Sequence, residues 1–337
     1  MDQKNRLRII GSLTLAACMA GGAGSVAAQS PAPSEAPVVE PSAAPVPVLS
    51  EACSFDQLQT KTAGRLLIGA DNPAYPPWFG GTPPEGSEWE LSDPYSGEGF
   101  EAAIAYAVAE TLGFSPDLVD WKHVPFNRSF APGKKAFDVY ITQVSIRPKR
   151  AEAVDFSDPY YFFNQAIVAL TGSPITTAAS IEDLKGLRLG AQTGTTSLDT
   201  ILQVVAPELE PRVYPDNDKA LRALKNGAID GLVVDLPTAF YMRDAQLEDW
   251  DTPDPEGTIV GQFPLMGTPE SLGMVLEKGS PLTACINEAL AIVKADGRYQ
   301  AIYDQWLGSI ASTPVPFFAG GPVIGGEMPA ASPSTAP

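Results

Sequence analysis

The chain has 337 residues, with 40 acidic and 22 basic side chains, a formal net charge of −18 and one histidine. So acidic a surface repels nucleic acid, and no basic stretch with interleaved aromatics offsets it. The single imidazole, His123, argues against a histidine-built metal centre or catalytic triad. No cofactor is expected. The length exceeds what one core commonly fills and points to two lobes with extensions.

The N-terminus reads as an export signal over residues 1–28. Lys4, Arg6 and Arg8 form its positive region, and residues 9–17 its short apolar region. Leu15-Ala16-Ala17-Cys18 resembles a lipobox in which Cys18 is lipidated; cleavage after Ala28 is the competing reading. A single acyl chain holds a membrane only marginally, so a lipid anchor here needs the doubly acylated form. Residues 19–52, rich in Ala and Pro, read as a disordered tether. No apolar run approaches the roughly 20 residues of a membrane span.

Of the three cysteines, assigning Cys18 to lipid leaves Cys53 and Cys285. An exported chain sits where disulfides persist, so these two are expected to pair. Two separate buried thiols are the alternative.

The elements then alternate. Residues 65–69 form a short buried strand, and 99–112 a helix with Phe100, Ile104, Val108 and Leu112 on one face and Gly113 beyond its end. Strands follow at 119–121 and 137–141, and a second series begins with a strand at 165–170. Ser180-Ile181-Glu182-Asp183 has the form of a capping box opening a helix, as does Thr196-Ser197-Leu198-Asp199. Between them lies a strand at 187–190; a strand at 212–214, a helix at 217–226 closed by Gly227, and an apolar strand at 229–234 complete the series. Residues 312–337 have a tail-like composition and are expected to be disordered. The alternation predicts an α/β protein of two lobes with mostly parallel strands, whose ligands collect beyond the strand C-termini.

Charged and polar residues stand at those strand ends. Arg150 follows Pro148 in the first turn of a short helix, where its fork, the Ser145 hydroxyl and free amides suit a carboxylate. A surface ion pair with Asp155 or Glu152 is the alternative. Asp235 ends an apolar strand, either as the cap of the next helix or as the acceptor for an ammonium group. Gly194 followed by Thr195, Thr196 and Ser197 offers amides and hydroxyls to an anion, but no Gly-Lys-Ser/Thr ending makes it a phosphate loop. Tyr75, within Tyr75-Pro76-Pro77-Trp78-Phe79, and Phe126 offer aromatic walls or ordinary loop packing.

The runs 68–78, Gly99-Phe100-Glu101, 137–161, 189–196, 229–235 and 294–307 occur in an order and spacing that resemble the extracytoplasmic solute-binding proteins, family 3, of polar amino-acid ABC transporters. The resemblance implies a two-lobe periplasmic-binding-protein-like (type II) fold, with two hinge crossings and a central ligand cleft. Lobe one is then residues 53–163 plus 264–311, and lobe two 164–263. It further implies that Arg150, helped by Ser145, Thr195 and Thr196, holds a ligand carboxylate and that Asp235 holds the amino group. Tyr75 then packs over the ligand, and Asp71 lies where some members recognise the side chain. Gln143 departs from the small hydroxyl residue of many relatives, and Arg147 from the common Thr.

The implied function is capture of an amino acid or related zwitterion outside the membrane, by a monomer that delivers it to an ABC permease and is held to the membrane at Cys18. The alternatives are a cyclohexadienyl-dehydratase-like enzyme on the same fold, with Glu98 or Glu101 as its acid, and a ligand sensor.

Overall fold

A computed structural model describes residues 46–247, 256–264 and 270–320. The export signal, Cys18 and the tether up to residue 45 lie outside the described residues, as does the tail beyond 320. Twelve strands run in chain order: β1 (Leu66–Ala70), β2 (Val119–His123), β3 (Val139–Tyr140), β4 (Val154–Phe156), β5 (Tyr161–Phe163), β6 (Gln165–Leu170), β7 (Leu189–Gln192), β8 (Arg212–Tyr214), β9 (Gly231–Asp235), β10 (Gly257–Gln262), β11 (Glu270–Leu272) and β12 (Val275–Glu277). The α-helices are α1 (Phe100–Thr111), α2 (Phe126–Ser129), α3 (Pro148–Ala151), α4 (Thr196–Thr200), α5 (Asn217–Lys225), α6 (Leu236–Tyr241), α7 (Leu282–Ala295), α8 (Arg298–Trp306) and α9 (Gly308–Ala311).

The strands form two five-stranded sheets, ordered β2-β1-β3-β12-β4 and β10-β6-β9-β7-β8. A two-stranded piece, β5 with β11, accompanies the two passages of the chain between them. This is the two-lobe α/β fold. The sheets are mixed rather than mostly parallel. In the first, β1 pairs parallel with β2 and β3, while β12 pairs antiparallel with β3 and β4. In the second, β7 pairs parallel with β8 and β9, while β6 pairs antiparallel with β9 and β10. The antiparallel members include strands that enter from the passages, without a βα crossover to set their direction.

The strand periodicity explains the second sheet's burial. Ile167, Ala169, Leu189 and Val233 pack into one apolar cluster, whereas Ala166, Val168, Leu232 and Val234 join a different one. Alternate residues of the same strands thus feed opposite faces, so the sheet is covered on both sides. In the first lobe, α1, α7 and α8 supply a core centred on Phe100, Trp78 and Tyr160, all essentially unexposed. Cys53 and Cys285 are bonded, tying the chain just ahead of β1 to α7.

Three local expectations are corrected. The box at 180–183 opens only a single 3-10 turn, Glu182–Leu184, although Asp183 does accept from the Ser180 amide and hydroxyl; Gly186 and β7 follow at once. The tether does not reach residue 52, because Ser50 donates to Glu288 through both its amide and hydroxyl, and Leu49 packs on the core. The tail is ordered as far as 320. Phe318 is buried against Phe263, and residues 317 and 319 bridge to Gln262 and Ser180 in the second lobe. Pro-rich composition hid both segments, since each is held by a few long-range contacts.

Candidate functional site

The strand ends of both sheets open into one cavity. From the first lobe come Asp71, just after β1, Tyr75 and Phe126, and then Thr142, Gln143 and Ser145 beyond β3. From the second come Gln165 of β6, Gln192 of β7, Thr195 to Ser197 at the start of α4, Asn217 of α5 and Asp235 of β9. Of the ligand residues expected from sequence, all but Arg150 line this space.

Arg150 lies behind it. Its Nη1 donates to the Ser145 carbonyl at 2.9 Å and its Nη2 to the Gly194 carbonyl at 2.8 Å, so the guanidinium links the lobes. It stacks 4.3 Å from the Phe130 ring centre and 5.6 Å from that of Phe126. The surface pairing with Asp155 does not occur, since Asp155 faces Lys278 at 3.2 Å. Burial pulls the guanidinium down to about 10, with Glu270 partly offsetting this. A guanidinium has five N–H groups, so two carbonyls leave donors for a ligand.

Asp235 performs the capping role that its position suggested. Oδ1 accepts from the Thr238 amide and Oδ2 from the Thr238 hydroxyl, both at 2.8 Å. Burial pushes its carboxyl up to about 6, against those two hydrogen bonds. The cap and the cavity lining are thus the same residue. Thr195 caps α4 through the Leu198 amide at 3.2 Å, and its own hydroxyl donates to the Gln192 carbonyl at 2.7 Å. At the opposite end Asp71 accepts from the Asn72 amide and lies 3.7 Å from His123 Nε2. Burial pushes it up to about 6 as well. The Tyr75 hydroxyl is buried, with no hydrogen-bond partner among the described residues.

Gln143 sits at φ 38°, in the left-handed region that non-glycine residues avoid. Glu101 holds it there. The Glu101 carboxylate accepts from the Gln143 amide N–H at 2.7 Å and also from its side-chain nitrogen and from the Tyr160 hydroxyl. With no solvent exposure, Glu101 is pushed by burial up to about 8, although all three donors favour its charged form.

Sequence reasoning missed the roles of three of these groups. It offers Glu101 only as the acid of an alternative enzyme, and Gln165 only as the first residue of an apolar strand, although an amide there is a signal. Glu270 carried no local signal. Its carboxylate accepts from Ser145 Oγ at 3.0 Å and from Gln165 Nε2 at 3.1 Å, and Arg147 Nη2 approaches it at 3.5 Å. Arg147 is therefore paired rather than free.

This arrangement has many counterparts. The family model for bacterial extracellular solute-binding proteins, family 3, matches residues 82–309. The L-cystine-binding protein TcyJ of Escherichia coli is 29% identical over 252 residues, covering 74% of this chain and 85% of that protein. The ABC transporter glutamine-binding protein GlnH of Bacillus subtilis is 31% identical over 225 residues, covering 64% of this chain and 76% of the relative. Among solved structures, an ancestral arginine-binding protein bound to glutamine superposes with a TM-score of 0.59 at 32% identity, over 73% of this chain and 99% of that one. With the two-lobe fold and the interlobe cavity in place, the chain belongs to the bacterial extracellular solute-binding proteins, family 3.

Proposed function

We propose that the protein captures an amino acid outside the cell membrane and delivers it to the permease of an ABC transporter. One observation carries this reading: polar groups from the strand ends of both sheets converge on one cavity lined by Asp71 and Asp235, with the Arg150 guanidinium behind it on the carbonyls of Ser145 and Gly194. Asp235 takes the α-ammonium group, while Arg150, with the α4 end bearing Thr195 and Thr196, takes the α-carboxylate. The ligand side chain lies between Tyr75 and Phe126 and reaches toward Asp71. A carboxylate there favours a side chain that donates hydrogen bonds, cationic or amide, over an acidic one. Lobe one then comprises residues 53–163 and 264–311, and lobe two residues 164–263.

Binding is favoured over turnover because Glu101, one of the two acids a dehydratase could use, is fully buried, stands behind the cavity-lining Gln143 rather than in the lining, and is bonded to Gln143 and Tyr160. Calorimetric titration with the twenty L-amino acids tests the reading: at least one binds at a single site, and absence of binding by all of them overturns it. We also assign export and a lipid anchor at Cys18. Mass spectrometry of the mature protein checks this assignment, and an N-terminus beginning after Ala28 refutes the anchor.

A further inference from the structure

We propose that Glu270 is an internal competitor for the ligand's carboxylate and so sets how strongly the site prefers α-carboxylate ligands over neutral ones. The inference rests on the amino-acid reading above.

It follows from a count of hydrogens. A carboxylate accepts hydrogen bonds and donates none, so the Ser145 hydroxyl hydrogen goes to Glu270 Oε1 at 3.0 Å. Ser145 and Thr196 hydroxyl oxygens are 3.2 Å apart, and with the Ser145 hydrogen committed the Thr196 hydroxyl is the donor. The Gln165 amide nitrogen has two hydrogens; one goes to Thr196 Oγ1 at 3.0 Å and the other to Glu270 Oε2 at 3.1 Å. Ser197 donates to Gln165 Oε1 at 2.7 Å, which fixes which end of that amide faces Glu270. The chain of donors runs Ser197, Gln165, Thr196, Ser145 and terminates on Glu270.

Every side-chain donor of this network is therefore committed, either to another member or, for Ser145 and the second Gln165 hydrogen, to the Glu270 carboxylate. A ligand carboxylate arriving beside Ser145 meets a like charge and finds no free hydroxyl hydrogen. To gain the Ser145 donor, it must displace Glu270. Arg147, half-exposed and 3.5 Å away, is the cation placed to receive the displaced carboxylate. A ligand with a neutral group in that position meets no such repulsion.

The test is calorimetry of the wild type, E270Q, R147Q and the double variant with each L-amino acid and its α-carboxamide. E270Q is expected to bind amino acids about tenfold tighter while carboxamides change less than threefold, the loss of like-charge repulsion being of the order of one decade. R147Q is expected to weaken amino-acid binding about tenfold by removing the receiving cation, and to do so only while Glu270 is present. Equal changes for carboxylates and carboxamides in E270Q, or an unchanged amino-acid affinity in both single variants, overturn the proposal. Arg147 lies on the surface, so R147Q reports even where E270Q misfolds. No binding of any amino acid to any variant overturns the amino-acid reading and this inference together; binding to wild type without the carboxylate-selective gain overturns this inference alone.

Discussion

The two lobes bring their side chains to the same cavity by different means. In the second lobe, three turns from strand to helix each carry a polar cap: Thr195 for Leu198, Asp216 for Lys219 and Asp235 for Thr238. Each cap lines the cavity or stands beside a residue that does. In the first lobe, helices α1, α2 and α3 have no side-chain cap. There the lining depends on partners distant in sequence, such as Glu101 for Gln143, and on aromatic loops. The second lobe builds its site locally and repeatedly, and the first builds it through long-range contacts. Substitutions should therefore act locally in one lobe and at a distance in the other.

The sharpest way to break this contrast is the Cys53–Cys285 bond, which spans a separation of 232 residues. Replacing both cysteines by serine should lower unfolding free energy by about 4–5 kcal/mol in the chain-entropy account. Denaturant titration checks this, and a loss below about 1 kcal/mol counts against a lobe that needs the link. Next, Arg150→Ala should weaken amino-acid binding at least about a hundredfold, about 3 kcal/mol, because Gly194 and Ser145 lose their shared donor together with the ligand. An affinity retained within tenfold removes Arg150 from the site.

Glu101→Ala should destabilise the fold by about 2–3 kcal/mol, since the Gln143 amide and Tyr160 hydroxyl lose a buried acceptor. Its titration gives a further check. The folded carboxyl is raised to about 8 from an ordinary 4.5, so the folded state holds the proton more tightly. That contribution is fully present below about pH 4.5 and is lost as pH rises through 8, so stability falls across this window. The slope is at most about 1.4 kcal/mol per pH unit for one proton. Glu101→Gln should flatten thermal-denaturation midpoints between pH 5 and 8; an unchanged slope shows that another group is responsible. The smallest effect should come from the second lobe, where Asp216→Ala removes the α5 cap and an exposed contact to the Lys219 ammonium and costs about 1 kcal/mol. Hydrogen exchange should then quicken in α5 alone, and spread to the first sheet would contradict local construction.

The same contrast explains what was legible in the sequence. The face formed by Phe100, Ile104 and Val108 marked α1, and the apolar run before Asp235 marked β9, because both patterns are local. Asp235 stood out since capping residues must sit at strand-to-helix turns; the box read at 196–199 found the start of α4 but put its cap one residue late, the cap being Thr195. Glu270 and the pairing of Arg147 were invisible, and Gln165 gave only the hint of an amide opening an apolar strand, because only the fold brings them beside Ser145. Strand direction failed for a related reason. Alternation of strands and helices implies parallel pairing, but β6 and β12 enter from the interlobe passages, β10 leads into one, and all three pair antiparallel. The caps also show that a structural and a ligand-facing role need not be alternatives, since one carboxylate at Asp235 has lone pairs for both.

The C-terminal segment that runs back onto the second lobe also protects a sheet edge. β10 is the outermost strand of its sheet, and an unpaired edge is a template for another chain. Here Gln262 donates its amide to the Pro316 carbonyl at 2.8 Å and accepts from the Phe318 amide at 3.0 Å, so the edge is already occupied from within. The Phe318 ring fills the slot over Gly261, where a β-carbon would approach it to 2.9 Å. A chain cut at residue 312, where composition alone would place the end of the folded part, loses this cover. It keeps an open strand edge beside an empty apolar slot, the combination that invites self-association.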